Sequence, residues 1–181
     1  MKCSQRLLLL IAVLALTGCT IQSAYLAGAS LQTEAKWALL PMANHADTPQ
    51  AGLSAETIAE HGLRVRGVRN IIRYPVTLSR DSLFEPSDRR VAEEAQKWAK
   101  EQGARYGLTG VVEEWRYKVG IDGEPAVGVT LQVIELATGQ IVWSASGAKS
   151  GWSREALSGV AHKLFDQLMS KLSLMPAFDE N

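Results

Sequence analysis

Cysteine is nearly absent: the 181 residues hold two, Cys3 and Cys19, both close to the amino terminus. No disulfide can brace the remainder of the chain, even in an oxidising compartment. Histidine is scarce too. His45, His61 and His162 stand far apart, in none of the short spacings that hold a metal. No glycine-rich loop precedes a helix in the order that cradles phosphate, and no segment repeats. No apolar run is long enough to span a bilayer, which takes about 20 helical residues. Charge of one sign is missing as well, with 19 basic residues against 19 acidic ones. Nucleic acid is therefore a poor partner, because its binders present a basic face.

What is present begins at the amino terminus. Lys2 and Arg6 precede an apolar run, Leu7 to Leu16, and small residues follow it. A charged head, a short apolar run and small residues make a secretory signal. Here the run closes on Leu16-Thr17-Gly18-Cys19, which resembles the bacterial lipobox. Residues 1–18 are expected to be removed and Cys19 to carry the lipid: a thiol is the best nucleophile for thioether formation. One acyl chain binds a membrane marginally and additional chains bind it stably. Thr20 stands where an aspartate would hold such a protein at the inner membrane, so the outer membrane, facing the periplasm, is the expected site. The segment removed carries two of the 19 basic residues and no acid, leaving 17 against 19.

Residues 19–34 show neither helical nor strand period and read as a lipidated cysteine with a tether. A single domain is expected over 35–175, with a tail at 176–181. Residues 36–42 form an apolar run stopped by Pro41, a buried strand. Residues 53–66 read as a helix capped by Ser54 and closed by Gly67. A second strand fits 70–76. A helix at 88–102, capped by Ser87, sets Val91, Ala95, Trp98 and Ala99 on one stripe, with Gly103 as its left-handed terminator. From Leu108 the period falls to two. Strands through Val111–Tyr117, Val127–Val133 and Ile141–Ala145 are separated by turns at Asp122-Gly123 and Ala137–Gly139. A last helix starts near Ser153 and stops at Pro176. The order β-α-β-α-β-β-β-α predicts an α+β fold: a mixed, mainly antiparallel sheet with helices packed on it.

Catalytic chemistry finds little support. His162 and Asp166 are four apart on a helix, a spacing typical of a solvent-facing pair. Glu113 and Glu114 alternate along a strand and so are expected on opposite faces. No catalytic residue, metal site or cofactor follows from these patterns. Trp37, Trp98, Trp115 and Trp143 fall on core positions. Trp152 sits in SGWS, between a strand and a helix. Two uses fit it: an amphipathic ring resting at a membrane interface, or a staple packed on the following helix. Asp122 and Glu124 share the hairpin tip GIDGEP. Turn chemistry alone explains them; in a closed ring of subunits the same acids become a band of negative charge around an opening.

Three long runs carry a resemblance: WALLPMANHADTPQAG at 37–52, GARYGLTGVVEEWRYK at 103–118, and GEPAVGVTLQVIELATGQIVWSASG at 123–147, with SGWS after the last. Together they resemble the PelC lipoproteins, which serve export of Pel exopolysaccharide, a biofilm matrix polymer. The resemblance implies a non-enzymatic protein forming a dodecameric ring on the periplasmic side of the outer membrane. It also implies two partners, the export barrel PelB and a partly deacetylated, cationic polymer. Asp122 falls where a pore-facing acid is implied, beside Glu124, and Trp152 where a membrane contact is implied. The implied fold is related to CsgG and to the amino-terminal domain of TolB. A CsgG- or LpoB-like lipoprotein, serving protein secretion or activating a cell-wall synthase, is the alternative. A hydrolase of an envelope polymer would need convergent carboxylates.

Overall fold

A computed structural model describes residues 21–26, 30–75, 88–120 and 123–176. The elements in chain order are β1 (Ile21–Leu26), β2 (Leu31–Gln32), β3 (Trp37–Asn44), α1 (Ala51–Val65), β4 (Ile71–Arg73), α2 (Asp88–Glu101), β5 (Tyr106–Tyr117), β6 (Pro125–Glu135), β7 (Gln140–Ser150), α3 (Leu157–Met169) and β8 (Leu174–Met175). Six strands form one sheet in the order β1-β7-β6-β5-β3-β4, and β2 and β8 form a small second one. β3 runs parallel to β4 and β5, while β5, β6, β7 and β1 pair antiparallel. The fold is α+β, with the order of helices and central strands that the periodicity predicts.

The two-residue period sorts the sheet into faces. Val127, Val129, Leu131 and Val133 of β6 are all fully buried on one face, opposite Trp143 and Ala145 of β7. α1 and α3 cover that face. Ala55, Ile58, Ala59 and Leu63 on α1 meet Val160, Ala161, Leu164 and Phe165 on α3 in one continuous core. Each such Leu, Ile or Phe contributes roughly 1.5–3 kcal/mol on burial. α2 covers part of the opposite face, where Ala38, Leu40, Tyr74, Ala95 and Ala99 form a smaller core. Beyond α2 that face carries short polar side chains: Thr130 Oγ1 lies 2.8 Å from Glu113 Oε1 and 2.9 Å from Ser146 Oγ.

α1 and α2 end on left-handed glycines, as expected, with Gly67 at φ 92° and Gly103 at φ 72°. Both return their N–H to the last turn, to Arg64 and Lys100 respectively. Gly110 is fixed by contact instead. A Cβ there would stand 2.3 Å from the Thr130 carbonyl oxygen, inside the β5–β6 ladder.

Several expectations are corrected. Residues 21–26 and 31–32, read as tether, are strands: β1 pairs with β7 and β2 with β8. The Trp37 indole N–H donates to the Gln32 carbonyl at 3.0 Å and ties β2 to β3. Pro41 does not stop its strand. The β3–β5 register shifts between Leu39 and Met42, so the residue without an N–H sits at an irregularity and the strand continues to Asn44. The second strand shrinks to Ile71–Arg73. α1 starts at Ala51 with a left-handed Gln50 before it and no side-chain cap, so Ser54 lies within the helix. Ser87 lies outside the described residues. α3 begins at Leu157, because residues 153–155 make a turn in which the Glu155 N–H bonds the Trp152 carbonyl at 2.8 Å. It ends at Met169, and the chain then turns into β8. Trp98 is half-buried, edge-on to Tyr74 at 5.4 Å.

Candidate functional site

The β5–β6 hairpin and the turn from β7 into α3 come together at one end of the sheet. Antiparallel pairing sets Pro125 beside Tyr117 and Ala126 beside Ser150. Side chains and backbone then lock the two loops: Gly151 N–H donates to the Pro125 carbonyl at 2.8 Å, Lys118 Nζ to Ser150 Oγ at 2.8 Å, and Leu157 N–H to the Tyr117 hydroxyl at 3.0 Å. Gly151 allows this closeness. A Cβ there would meet Val160 at 2.5 Å and Pro125 at 3.0 Å.

Two of the four predicted site residues are described, and both belong to this end. Trp152 is 82% exposed. A staple on α3 requires a buried ring, so that use is excluded. Glu124 is exposed, and its carbonyl accepts the Lys118 N–H at 2.7 Å where the hairpin narrows. Gly123 takes φ 49°, the left-handed turn geometry that Asp-Gly favours. Cys19 and Asp122 lie outside the described residues. Two neighbours escaped the sequence reading: Tyr117 is 52% exposed and Val119 fully so. Strand alternation did not mark them, because Tyr117 is in phase with the buried Trp115.

Glu155 braces the turn. Its carboxylate pairs with Lys163 and accepts the Trp152 N–H at 3.4 Å. The Lys163 hydrogen bond, helped by the Trp152 N–H and the charges of Lys163 and Lys149, holds this carboxyl below the usual range against the opposing effect of burial.

Three further concavities are lined by described residues, two of them on the open side of the sheet. A groove of about 400 Å³ runs between α2 and the open sheet face, past Arg89, Gln96 and Gln132. A depression of about 350 Å³ is lined by Asp47, Glu113, Glu114 and Arg116. Here the sequence reading is corrected. The β5–β6 register shifts between Val112 and Glu114, and this bulge brings both glutamates to one depression instead of opposite faces. Each is engaged, Glu113 by Thr130 and Glu114 by Arg116 at 3.1 Å. Asp166 pairs with Arg66, the residue that follows α1, at 2.8 Å, and the His61 and His162 rings meet edge-on at 6.2 Å. Among the described residues no group of three His, Cys, Asp or Glu side chains converges as a metal site, and no helix is long and apolar enough to cross a membrane.

The fold places the chain in a class. It is shared with lipoprotein GNA1162 of Neisseria meningitidis, at a TM-score of 0.54 and 15% identity over 76% of this chain and 96% of that one. A family model described as peptidoglycan-synthase activator LpoB matches residues 80–148, less than half of the chain. No curated protein matches the sequence. This is thus an α+β domain of a kind found in bacterial lipoproteins. Much stronger similarity joins it to a PelC dodecamer from Paraburkholderia phytofirmans, with 39% identity over 87% of this chain and 99% of that one, at a TM-score of 0.73. A dodecamer of a single-substitution variant of PelC from the same organism agrees, at 40% identity over 86% and 99% of the chains and a TM-score of 0.69. The chain belongs to the PelC family.

Proposed function

We propose that this protein is a lipid-anchored component of exopolysaccharide export. It sits on the periplasmic side of the outer membrane, assembles into a closed ring, and guides a cationic polymer to an export barrel, PelB. The observation that carries the reading is the 39% identity to a PelC dodecamer along nearly the whole folded chain. The secretory head and the Leu16–Cys19 motif support the anchor. Glu124 at the hairpin tip, next in sequence to the Asp122-Gly123 turn, supports an acidic rim. Exposed Trp152, on the same end, supports contact with lipid. The protein does no chemistry on the polymer; it holds negative charge around a path.

Native mass spectrometry of the chain from residue 20, joined to a gene deletion, tests this. A single closed assembly, together with loss of surface polymer while synthesis continues, is the expected result. A monomer together with normal surface polymer would overturn it. The match to the synthase-activator model favours a second reading, a monomer that stimulates a cell-wall synthase. That reading predicts stimulation of glycan synthesis by the purified protein.

A further inference from the structure

α1 and α3 share the main core, and each sets one histidine on its outer rim. The His61 and His162 rings meet edge-on with their centres 6.2 Å apart, and both line a depression of about 190 Å³ between the helices. Rigid elements hold the pair. Ile58 and Phe165, which line the same depression, belong to the shared core. Gly62, next to His61, lets the helices come close: a Cβ there would stand 2.5 Å from Met169 Sδ of α3. About one turn further along, Arg66 donates to both the carboxylate and the backbone carbonyl of Asp166, at 2.8 and 3.1 Å, and ties the same two segments. That ion pair balances the guanidinium charge beside the imidazoles.

We propose that His61 and His162 are the two protein ligands of a zinc-class divalent metal ion that clamps α1 to α3. Imidazole nitrogen suits such ions. A zinc–nitrogen bond of about 2.0–2.1 Å sets the metal about 3.2 Å from each ring centre, so two rings on one ion stand about 5–6 Å apart. The observed 6.2 Å lies at the wide end of that span, and both rings are exposed, with room to turn their nitrogens onto one ion. Among the described residues no third His, Cys, Asp or Glu converges with them. Water therefore completes the coordination, and the ion exchanges with solvent as one in a closed four-ligand site does not. Ligating imidazoles must be deprotonated, so acid weakens the site. Stacking alone also explains two neighbouring rings, but it predicts no response to metal. The site asks for no polymer, barrel or membrane, so it stands apart from the export reading.

Zinc titration tests it. The chain from residue 20 contains every described element and is used free of metal. Calorimetry with zinc chloride should show one ion bound per chain. His61→Ala and His162→Ala should each abolish that binding as completely as the two together, since neither ring alone closes the clamp. His45→Ala should bind like the wild type. Zinc should also raise the melting temperature of the wild type and of His45→Ala by about 2–4 °C, and leave His61→Ala and His162→Ala unmoved. Melting without metal controls for folding: both histidines are exposed, so their variants should match the wild type there. No stoichiometric binding, or binding kept by either single variant, would overturn the site. Light scattering covers the remaining case. An assembly mass that changes with zinc, and stays constant in His61→Ala, would place the ion between chains, and the clamp within one chain would fail.

Discussion

Glu56 and Glu60 stand one turn apart on α1 and are shifted in opposite directions. Glu56 is 7% exposed and accepts the Met42 N–H at 3.1 Å, supplying the partner that β3 gives up at its irregularity beside Pro41. Burial raises its carboxyl above the ordinary 4.5, against that hydrogen bond and the charge of Arg73. Glu60 is also partly desolvated, but hydrogen bonds from Arg64 and Arg73 outweigh this and hold it below 4.5.

For Glu56 the folded state binds a proton more readily than the unfolded one, so its contribution to stability falls as pH rises through the window just above 4.5. Glu56→Gln keeps the acceptor for Met42 and loses the titration. It should therefore gain on wild type between mildly acidic and neutral pH in urea midpoints. Glu56→Ala leaves a buried N–H without a partner and should cost about 1–3 kcal/mol at every pH. A pH-independent difference between wild type and Glu56→Gln would contradict the assignment.

Glu60 has the opposite sign. Its ion pairs with Arg64 and Arg73, both at 2.7 Å, stabilise the fold above the ordinary carboxylate pKa and lose that effect as pH falls through the depressed one. All three side chains keep some exposure, so Glu60→Gln should cost no more than about 1 kcal/mol at neutral pH. The same urea series should show the gap closing in acid. A gap that widens there would reverse the reading.

Much of this fold was legible because one rule governs each part of it. Alternation in Val127–Val133 and the i, i+4 stripes of α1 and α3 follow directly from burying one face. The failures share a cause: they sit where a tertiary contact replaces a local signal. Pro41 reads as a stop until Glu56, on the following helix, takes the Met42 N–H. Glu113 and Glu114 read as opposed until a bulge re-aims them. β1 and β2 have too little period to be seen, and their partners β7 and β8 lie far along the chain. At the candidate site, Trp152 was visible from its polar neighbours. Tyr117 and Val119 were not, because only the packing of hairpin on turn shows that they share its surface.

Anchoring makes a direct prediction on intact mass. Protein from membranes should lack residues 1–18 and carry added acyl mass on Cys19. Cys19→Ser should accumulate as uncleaved precursor, since cleavage at such a motif depends on the lipidated thiol. Recovery of wild-type protein cut before residue 19 and free of lipid would mark an ordinary signal peptide instead.

The hairpin tip separates guidance from mere turn chemistry. If Asp122 and Glu124 matter only as turn formers, Asp122→Asn and Glu124→Gln should act like the wild type, and lysine at Glu124, a position exposed to solvent, should be equally harmless. If they contribute a band of negative charge, the effect must follow charge and repeat in every subunit. Glu124→Lys combined with Asp122→Lys should then reduce surface polymer by about ten-fold or more, because a cationic chain meets repulsion from the whole ring. The neutral pair should show a smaller loss, and all variants should keep the assembly mass of the wild type. Polymer export unchanged by charge reversal in an intact assembly would confine both acids to the turn.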